Sequence, residues 1–204
     1  MPKIKQKTLA SKKALSIIEK KIKKKTTIAL GSGTTMAIFV KLIGKSKIKD
    51  KIKAIPSSEQ IKKIAKKAKI KVINKGKPKI AIDGLDQISG NLILKGHGAL
   101  AFVKEKELDY KAKEVFFIAD KSKISKKLTL PVLIELKKKN LNSVKKSLSS
   151  INAKVIKQVK HNNNIILFLK LKKITKELEQ KLNKMPGIID NGIFYLKKKE
   201  LITE

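Results

Sequence analysis

Apolar residues recur at helical spacing over 8–24, at Leu9, Ala14, Leu15, Ile17, Ile18 and Ile22, and predict an amphipathic helix. The β-rich run 26–30 predicts a strand. It ends in Gly31-Ser32-Gly33-Thr34-Thr35, after which Met36-Ala37-Ile38-Phe39-Val40 resumes a helical pattern. The alternation repeats with a strand at 53–55, a helix from Ser57 or Ser58 to about Ala68, and strands at 70–73, 80–82 and 91–94. A helix over 99–112 and a strand at 115–119 follow. Short apolar runs separated by helices predict a mainly parallel sheet with helices on both faces.

Beyond Lys123 the pattern changes. Strands at 131–134 and 153–156 flank a Lys-rich helix at 141–150, and a hairpin turns around His161-Asn162-Asn163-Asn164 into a second arm at 165–171. A helix at 175–183 and short strands at 187–189 and 193–196 complete a β-α-β-β-α-β order, that of a ferredoxin-like unit. The fold class predicted is α/β, a Rossmann-like sheet plus a smaller ferredoxin-like α+β domain. The expected division is a catalytic domain over 1–127, to which 197–204 returns, and a small domain over 128–196.

Composition narrows the function. No window approaches the roughly 20 apolar residues of a membrane span, and no signal core or cleavage site follows Met1-Pro2-Lys3, so a soluble, cytoplasmic protein is expected. The absence of cysteine excludes disulfides, thiolate nucleophiles and Cys-bound metal. A net charge of +35 first suggests nucleic acid. All 51 basic residues are Lys, however, spread along the chain, with no Arg to fork onto guanine and only two Tyr, six Phe and no Trp for stacking. The excess reads as a bias toward A/T-rich codons whose consequence is a solvated surface that steers anions; no specific nucleic-acid partner and no membrane partner are expected.

Candidate chemistry clusters at strand ends. The Gly31 to Thr35 loop passes from strand to helix, where amides and the positive end of a helix dipole converge on an anion. It lacks the P-loop Lys and the third Gly of a dinucleotide fingerprint, so a phosphate on a smaller molecule fits better. An ordinary helix-capping turn is the alternative. Asp83-Gly84-Leu85-Asp86 puts two carboxylates at the end of a buried strand, or forms an Asp-Gly turn; as metal ligands they are a thin set. Lys95-Gly96-His97-Gly98 offers a cation and amides for a developing oxyanion. Glu105 is either a general base or one charge of an exposed Lys104-Glu105-Lys106-Glu107 surface. His97 reads as a loop residue near the ligand, His161 as exposed and inert, and Asp120-Lys121-Ser122-Lys123 adds a Lys after the last large-sheet strand.

In this order the motifs resemble type A ribose-5-phosphate isomerase. Gly31 to Thr35 is similar to its Gly-[Ser/Thr]-Gly-Ser-Thr, Asp83 to Asp86 to Asp-Gly-Ala-Asp, and Lys95 to Gly98 to Lys-Gly-Gly-Gly. Lys104-Glu105-Lys106 matches Arg-Glu-Lys, and Asp120 to Lys123 matches Asp-x-Ser-Lys. Leu130-Pro131-Val132 and the Pro186 to Phe194 segment carry the likeness to the end. Leu85, Gln87, His97 and Lys104 depart from the family's Ala, Glu, Gly and Arg.

The resemblance implies isomerisation of ribose 5-phosphate, with Asp83 assisting ring opening and Glu105 shuttling a proton between C2 and C1 through an enediolate. Lys95 and the Gly96, His97 and Gly98 amides would hold the oxyanion, and Asp86 would position the Lys and the sugar hydroxyls. Ser32, Gly33, Thr34, Thr35, Gly84, Leu85 and Lys123 would bind substrate, with Lys12 reaching the phosphate. No cofactor or metal is implied, and the assembly implied is a homodimer or a tetramer of dimers. A non-catalytic sugar-phosphate sensor would keep the phosphate loop without Glu105 and Lys95; a nucleic-acid-binding protein would lose affinity steeply with salt.

Overall fold

The computed structural model describes residues 2–204, which divide into two compact units. The first gathers residues through Leu85 with Lys104–Ile124 and Lys197–Glu204; the second comprises Asp86–Val103 and Ser125–Leu196.

In the first unit, helix α1 (Lys3–Lys21) leads to β1 (Thr26–Leu30), α2 (Thr34–Gly44), β2 (Ile52–Pro56), α3 (Glu59–Lys67), β3 (Lys71–Val72) and β4 (Ile80–Gly84). It continues after the second unit's first segment with α4 (Phe102–Lys111), through which the division passes, then β7 (Glu114–Ile118) and β13 (Glu200–Ile202). The six strands are all parallel, in the order β13-β7-β4-β1-β2-β3. Ile28, Leu30, Ile80, Ile82, Phe116 and Ile118 face one core with Ala14, Ile18, Phe39 and Val40 of the helices. Residues of opposite parity, Ala29, Ala81, Val115 and Phe117, are buried as well, which is why these strands read as continuous apolar runs. The chain runs from β1 outward to β2 and β3, then returns to β4 on the other side of β1, so a topological switch point falls between β1 and β4.

Two helix starts have local causes, a side-chain cap at α3 and a left-handed residue before α4. Ser58 Oγ accepts from the Ile61 N–H at 3.3 Å before α3, leaving Ser57 outside the helix. α4 starts at Phe102, not at 99 as the apolar pattern predicts. Leu100 sits at φ 54, and a left-handed residue cannot belong to a right-handed helix. Glu105 therefore lies in the first turn of α4.

In the second unit, β8 (Val132–Lys137), α5 (Leu141–Ser149), β9 (Lys154–His161), β10 (Asn164–Lys170), α6 (Lys176–Lys184) and β11 (Ile188–Asn191) form an antiparallel sheet ordered β11-β8-β10-β9. The β9–β10 hairpin closes through Asn162 and Asn163, with Asn162 at φ 51. Its core joins Val132, Ile134, Leu136, Ile165 and Leu167 to Val144, Leu148 and Leu182 of the helices. A separate three-stranded sheet, β12-β6-β5, is built from β5 (Gln87–Ser89), β6 (Leu92–Leu94) and β12 (Ile193–Tyr195). This sheet explains why 86–103, assigned from the sequence to the 1–127 domain, groups with the second unit. β6 pairs with β12, and Lys95 N–H donates to Gly192 O at 3.0 Å. No helix is long and apolar enough to cross a membrane among the described residues.

Candidate active site

The first unit assembles its site residues at the carboxyl ends of β1, β4 and β7. Leu30 pairs with Ile82, so the next residues, Gly31 and Asp83, stand side by side. The approach is so close that a Cβ at Gly31 would lie 1.7 Å from Asp83 Oδ1. Only glycine fits there while Asp83 keeps its place. Asp83 is 1% exposed, and its Oδ1 accepts the Gly84 N–H at 2.6 Å. Gly33, the residue before α2, adopts φ 90 and ψ 179, a conformation that is essentially glycine-only. The loop thus turns at Gly33 so that α2 opens on Thr34 and Thr35, which brings the first amides of that helix to the loop.

Glu105 reaches this loop from α4. Its Oε1 accepts the Ser32 main-chain N–H at 3.0 Å and also the Ser32 hydroxyl. It is 3% exposed. Glu107, two residues on, is half-exposed and paired with Lys104 at 2.8 Å and Lys111 at 2.7 Å. Those lysine hydrogen bonds hold the Glu107 carboxyl below its ordinary pKa. The two glutamates of one charged-looking run therefore do different things: Glu107 is surface, and Glu105 is a buried acceptor for the glycine-rich loop.

After β7, Asp120 is buried and accepts from Ser122 Oγ, and Lys123 N–H donates to Asp120 O at 3.0 Å, which places half-buried Lys123 in a short 3-10 turn. Lys12 lies on the exposed side of α1. The lysine of that helix that touches the loop is Lys7, whose Nζ donates to Thr34 Oγ1 at 2.8 Å. Sequence reasoning missed it, because nothing distinguishes Lys7 among the lysines of α1.

The second unit groups Asp86, Lys95, Gly96 and His97. Gln87 pairs with Leu94 in the antiparallel β5–β6 ladder, so Asp86 and Lys95 flank the same end of it, and Asp86 N–H donates to Leu94 O at 2.9 Å. Lys95 is 3% exposed, with Nζ 5.0 Å from the centroid of the Phe194 ring. Gly96, at φ 112, lets the chain turn where a Cβ would meet Phe102 at 2.8 Å and Leu133 at 3.0 Å. Of the three amides expected to face an oxyanion, that of His97 is engaged elsewhere, donating to Asp86 Oδ2 at 2.9 Å. Gly98 is exposed. His161, expected to be exposed, is half-buried in β9, with Nδ1 3.6 Å from the carboxylate of buried Glu135.

Among the described residues no group of three or more His, Cys, Asp or Glu side chains is arranged to hold a metal ion. Chemically, the first unit offers a buried carboxylate against an anion-suited loop, and the second a buried Lys beside a carboxylate.

Comparisons with known proteins bear on this arrangement. The family model for ribose 5-phosphate isomerase A (phosphoriboisomerase A) matches residues 53–204. A ribose-5-phosphate isomerase A of Korarchaeum cryptofilum is 33% identical over 205 residues, covering 93% of this chain and 88% of its own. One from Pyrococcus horikoshii is 32% identical over 209 residues, covering 92% and 89%. Among solved structures, a D-ribose-5-phosphate isomerase in complex with phospho-erythronic acid superimposes with a TM-score of 0.88 at 29% identity, covering 100% of this chain and 98% of its own. Ribose 5-phosphate isomerase A of Methanocaldococcus jannaschii gives 0.84 at 26% identity, covering 97% and 96%.

Proposed function

The chain belongs to the ribose 5-phosphate isomerase A family, and from that premise we propose that it interconverts D-ribose 5-phosphate and D-ribulose 5-phosphate with Glu105 as the base. In the forward direction Glu105 takes the C2 proton of the open-chain aldose. The electron pair passes to the C1 carbonyl oxygen to give an enediolate, and the carboxylic acid returns the proton to C1 as the C2 oxygen becomes the ketone. A proton moves from O2 to O1, and no electrons leave the substrate, so the proposed reaction calls for no redox cofactor.

The observation that carries this reading is the contact between Glu105 and Ser32. A base of this kind must be held in one place and kept from bulk water. Glu105 is buried and oriented by two donors from the loop proposed to bind the phosphate. A phosphorylated sugar acid bound by a neighbour at 29% identity supports the same ligand class.

The remaining roles follow residue by residue from the family resemblance. Asp83 assists ring opening, Lys95 with the Gly96 and Gly98 amides stabilises the oxyanion, and Asp86 positions Lys95 and the sugar hydroxyls. Ser32, Gly33, Thr34, Thr35, Gly84, Leu85 and Lys123 bind the substrate, and Lys7 replaces Lys12 as the α1 lysine at the phosphate. Assembly as a homodimer or a tetramer of dimers and a cytoplasmic location belong to the same proposal, and light scattering of the purified protein tests the former.

The deciding experiment is a ribose 5-phosphate to ribulose 5-phosphate assay, with and without chelator, on the wild type and Glu105→Gln. The wild type turns over in both conditions, and Glu105→Gln loses at least about 100-fold in kcat, the lower range for removing a general base. An inactive wild type, or a Glu105→Gln variant at full rate, overturns the proposal.

A further inference from the structure

His97 stands where the resembling family has glycine, and its side chain is built into the second unit. Asp86 Oδ2 lies 3.2 Å from His97 Nδ1 while also accepting the His97 main-chain N–H at 2.9 Å. An ionised carboxylate only accepts hydrogen bonds, so the neutral ring carries its hydrogen on Nδ1 and leaves Nε2 as an acceptor. Nε2 is buried without a hydrogen-bond partner among the described residues. The ring meets Phe168 edge-on, with centroids 6.0 Å apart and planes at 74°.

Asp86 is therefore the polar contact that fixes the ring, and the ring in turn fixes Asp86. Leaving a buried ring nitrogen unpaired costs stability, a cost that glycine at the same position would not carry. Nor does the backbone require histidine, because residue 97 is outside the left-handed region. What histidine adds over glycine is a side-chain donor on Oδ2 beside its main-chain one, a hold on the Asp86 carboxylate that glycine cannot supply.

We propose that His97 is a positioning residue that holds Asp86 in the geometry the isomerisation requires, an inference that rests on the isomerase reading above. Charge-assisted hydrogen bonds are the stronger and more directional kind, and a carboxylate held by two donors from one residue loses little freedom when substrate binds. The effect falls mainly on kcat, through the Lys95 that Asp86 positions toward an oxyanion formed only during the reaction.

The test has a spectroscopic arm and a kinetic arm. In the full-length protein labelled with 15N-histidine, only His97 and His161 give signals, and His161→Gln identifies which is which. In its neutral form the His97 ring is the Nδ1–H tautomer, and Asp86→Asn shifts it toward Nε2–H. In the ribose 5-phosphate assay His97→Ala lowers kcat roughly tenfold with KM changed less than about threefold and Tm nearly unchanged, while His97→Asn recovers most of kcat, because its amide nitrogen takes the place of Nδ1. An Nε2–H tautomer in the wild type, wild-type kcat in His97→Ala, or an Asn variant no better than Ala overturns the inference. A wild type inactive on ribose 5-phosphate, with His97 still an Asp86-dependent Nδ1–H tautomer, overturns the isomerase reading and leaves the contact supported.

Discussion

Gly31→Ala adds one carbon atom at the closest approach in the first unit. The new Cβ would lie 1.7 Å from Asp83 Oδ1, 1.9 Å from Cγ and 2.5 Å from Oδ2, whereas ordinary contacts begin near 3.4 Å. The carboxylate or the loop must then move by about 1.7 Å, more than the 1 Å misplacement that costs a catalytic site about 100-fold. Asp83 is 1% exposed and anchored by the Gly84 amide, so an easy escape into solvent is closed. The stability cost is that of overpacking, about 1–3 kcal/mol, which lowers Tm by several degrees in a chain of this size.

The expected result is therefore a loss of at least about 100-fold in kcat/KM with a folded, cooperatively melting protein. Gly90→Ala is the matched control. Gly90 has φ 57 in the turn between β5 and β6, and a Cβ there would meet nothing within 4 Å. It carries backbone strain of about 1 kcal/mol without collision, so Tm drops by a few degrees and kcat/KM stays within about twofold. Steady-state kinetics and differential scanning fluorimetry read both quantities. Gly31→Ala with near wild-type kcat/KM, or Gly90→Ala with an equal loss, would refute the argument that the Gly31–Asp83 approach, rather than generic instability, sets the effect.

Ser32→Ala keeps the main-chain donor to Glu105 and removes the hydroxyl one, so kcat falls roughly tenfold, about the worth of one charge-assisted hydrogen bond; a variant at the wild-type rate contradicts the proposed anchoring. Glu107→Gln tests the surface pairs: the hydrogen bonds from Lys104 and Lys111 hold the folded carboxyl below its ordinary pKa, so its contribution is present above that ordinary pKa and lost as pH falls through the lower folded one. Chemical denaturation then shows a deficit of about 0.3–0.5 kcal/mol per pair at pH 7 that closes as the carboxyl is protonated in acid, and a deficit independent of pH contradicts it. Finally, with a net charge of +35, added salt screens both the lysine self-repulsion and the attraction for a sugar phosphate. From about 10 to 200 mM NaCl, Tm rises while KM increases, and opposite trends would show that the surface charge does neither.

The architecture was legible where local pattern carries it. Continuous apolar runs such as 26–30 and 80–82 are what a parallel sheet buried on both faces requires, and both are strands of the six-stranded sheet. What escaped depends on distant partners. β5 is three residues long with one apolar position, and its sheet exists because β6 pairs with β12, which follows nearly the whole second unit in the chain. No local periodicity marks that pairing, so 86–103 looked like part of the preceding domain. Glu105 was ambiguous for the same reason. Lys104-Glu105-Lys106-Glu107 is a charged run in any reading, and only the left-handed Leu100, which delays the start of α4, and the return of that helix to Ser32 separate the two glutamates. His97 could be located in its loop from the sequence, but its hold on Asp86 depends on the turn that Gly96 permits at φ 112.

Burial also gives the lysine excess its meaning. Of 51 lysines, only Lys95 and Lys106 are buried among the described residues, against five of the 16 acidic residues: Asp83, Glu105, Asp109, Asp120 and Glu135. A bias that fills surface positions with lysine is cheap, because solvated ammonium groups cost little. A buried ammonium must be compensated where it sits, as Lys95 is in part by the face of Phe194. Composition therefore cannot point to Lys95, since lysine is the commonest choice anywhere on this surface, but its burial can. The same contrast holds for acids, which the sequence makes scarce and the fold places disproportionately inside, three of them at the carboxyl ends of β4 and β7 or against the loop after β1: Asp83, Asp120 and Glu105. A surface drifting toward lysine leaves such buried groups untouched, which is how a chain whose 51 basic residues are all lysine keeps acidic side chains inside its fold.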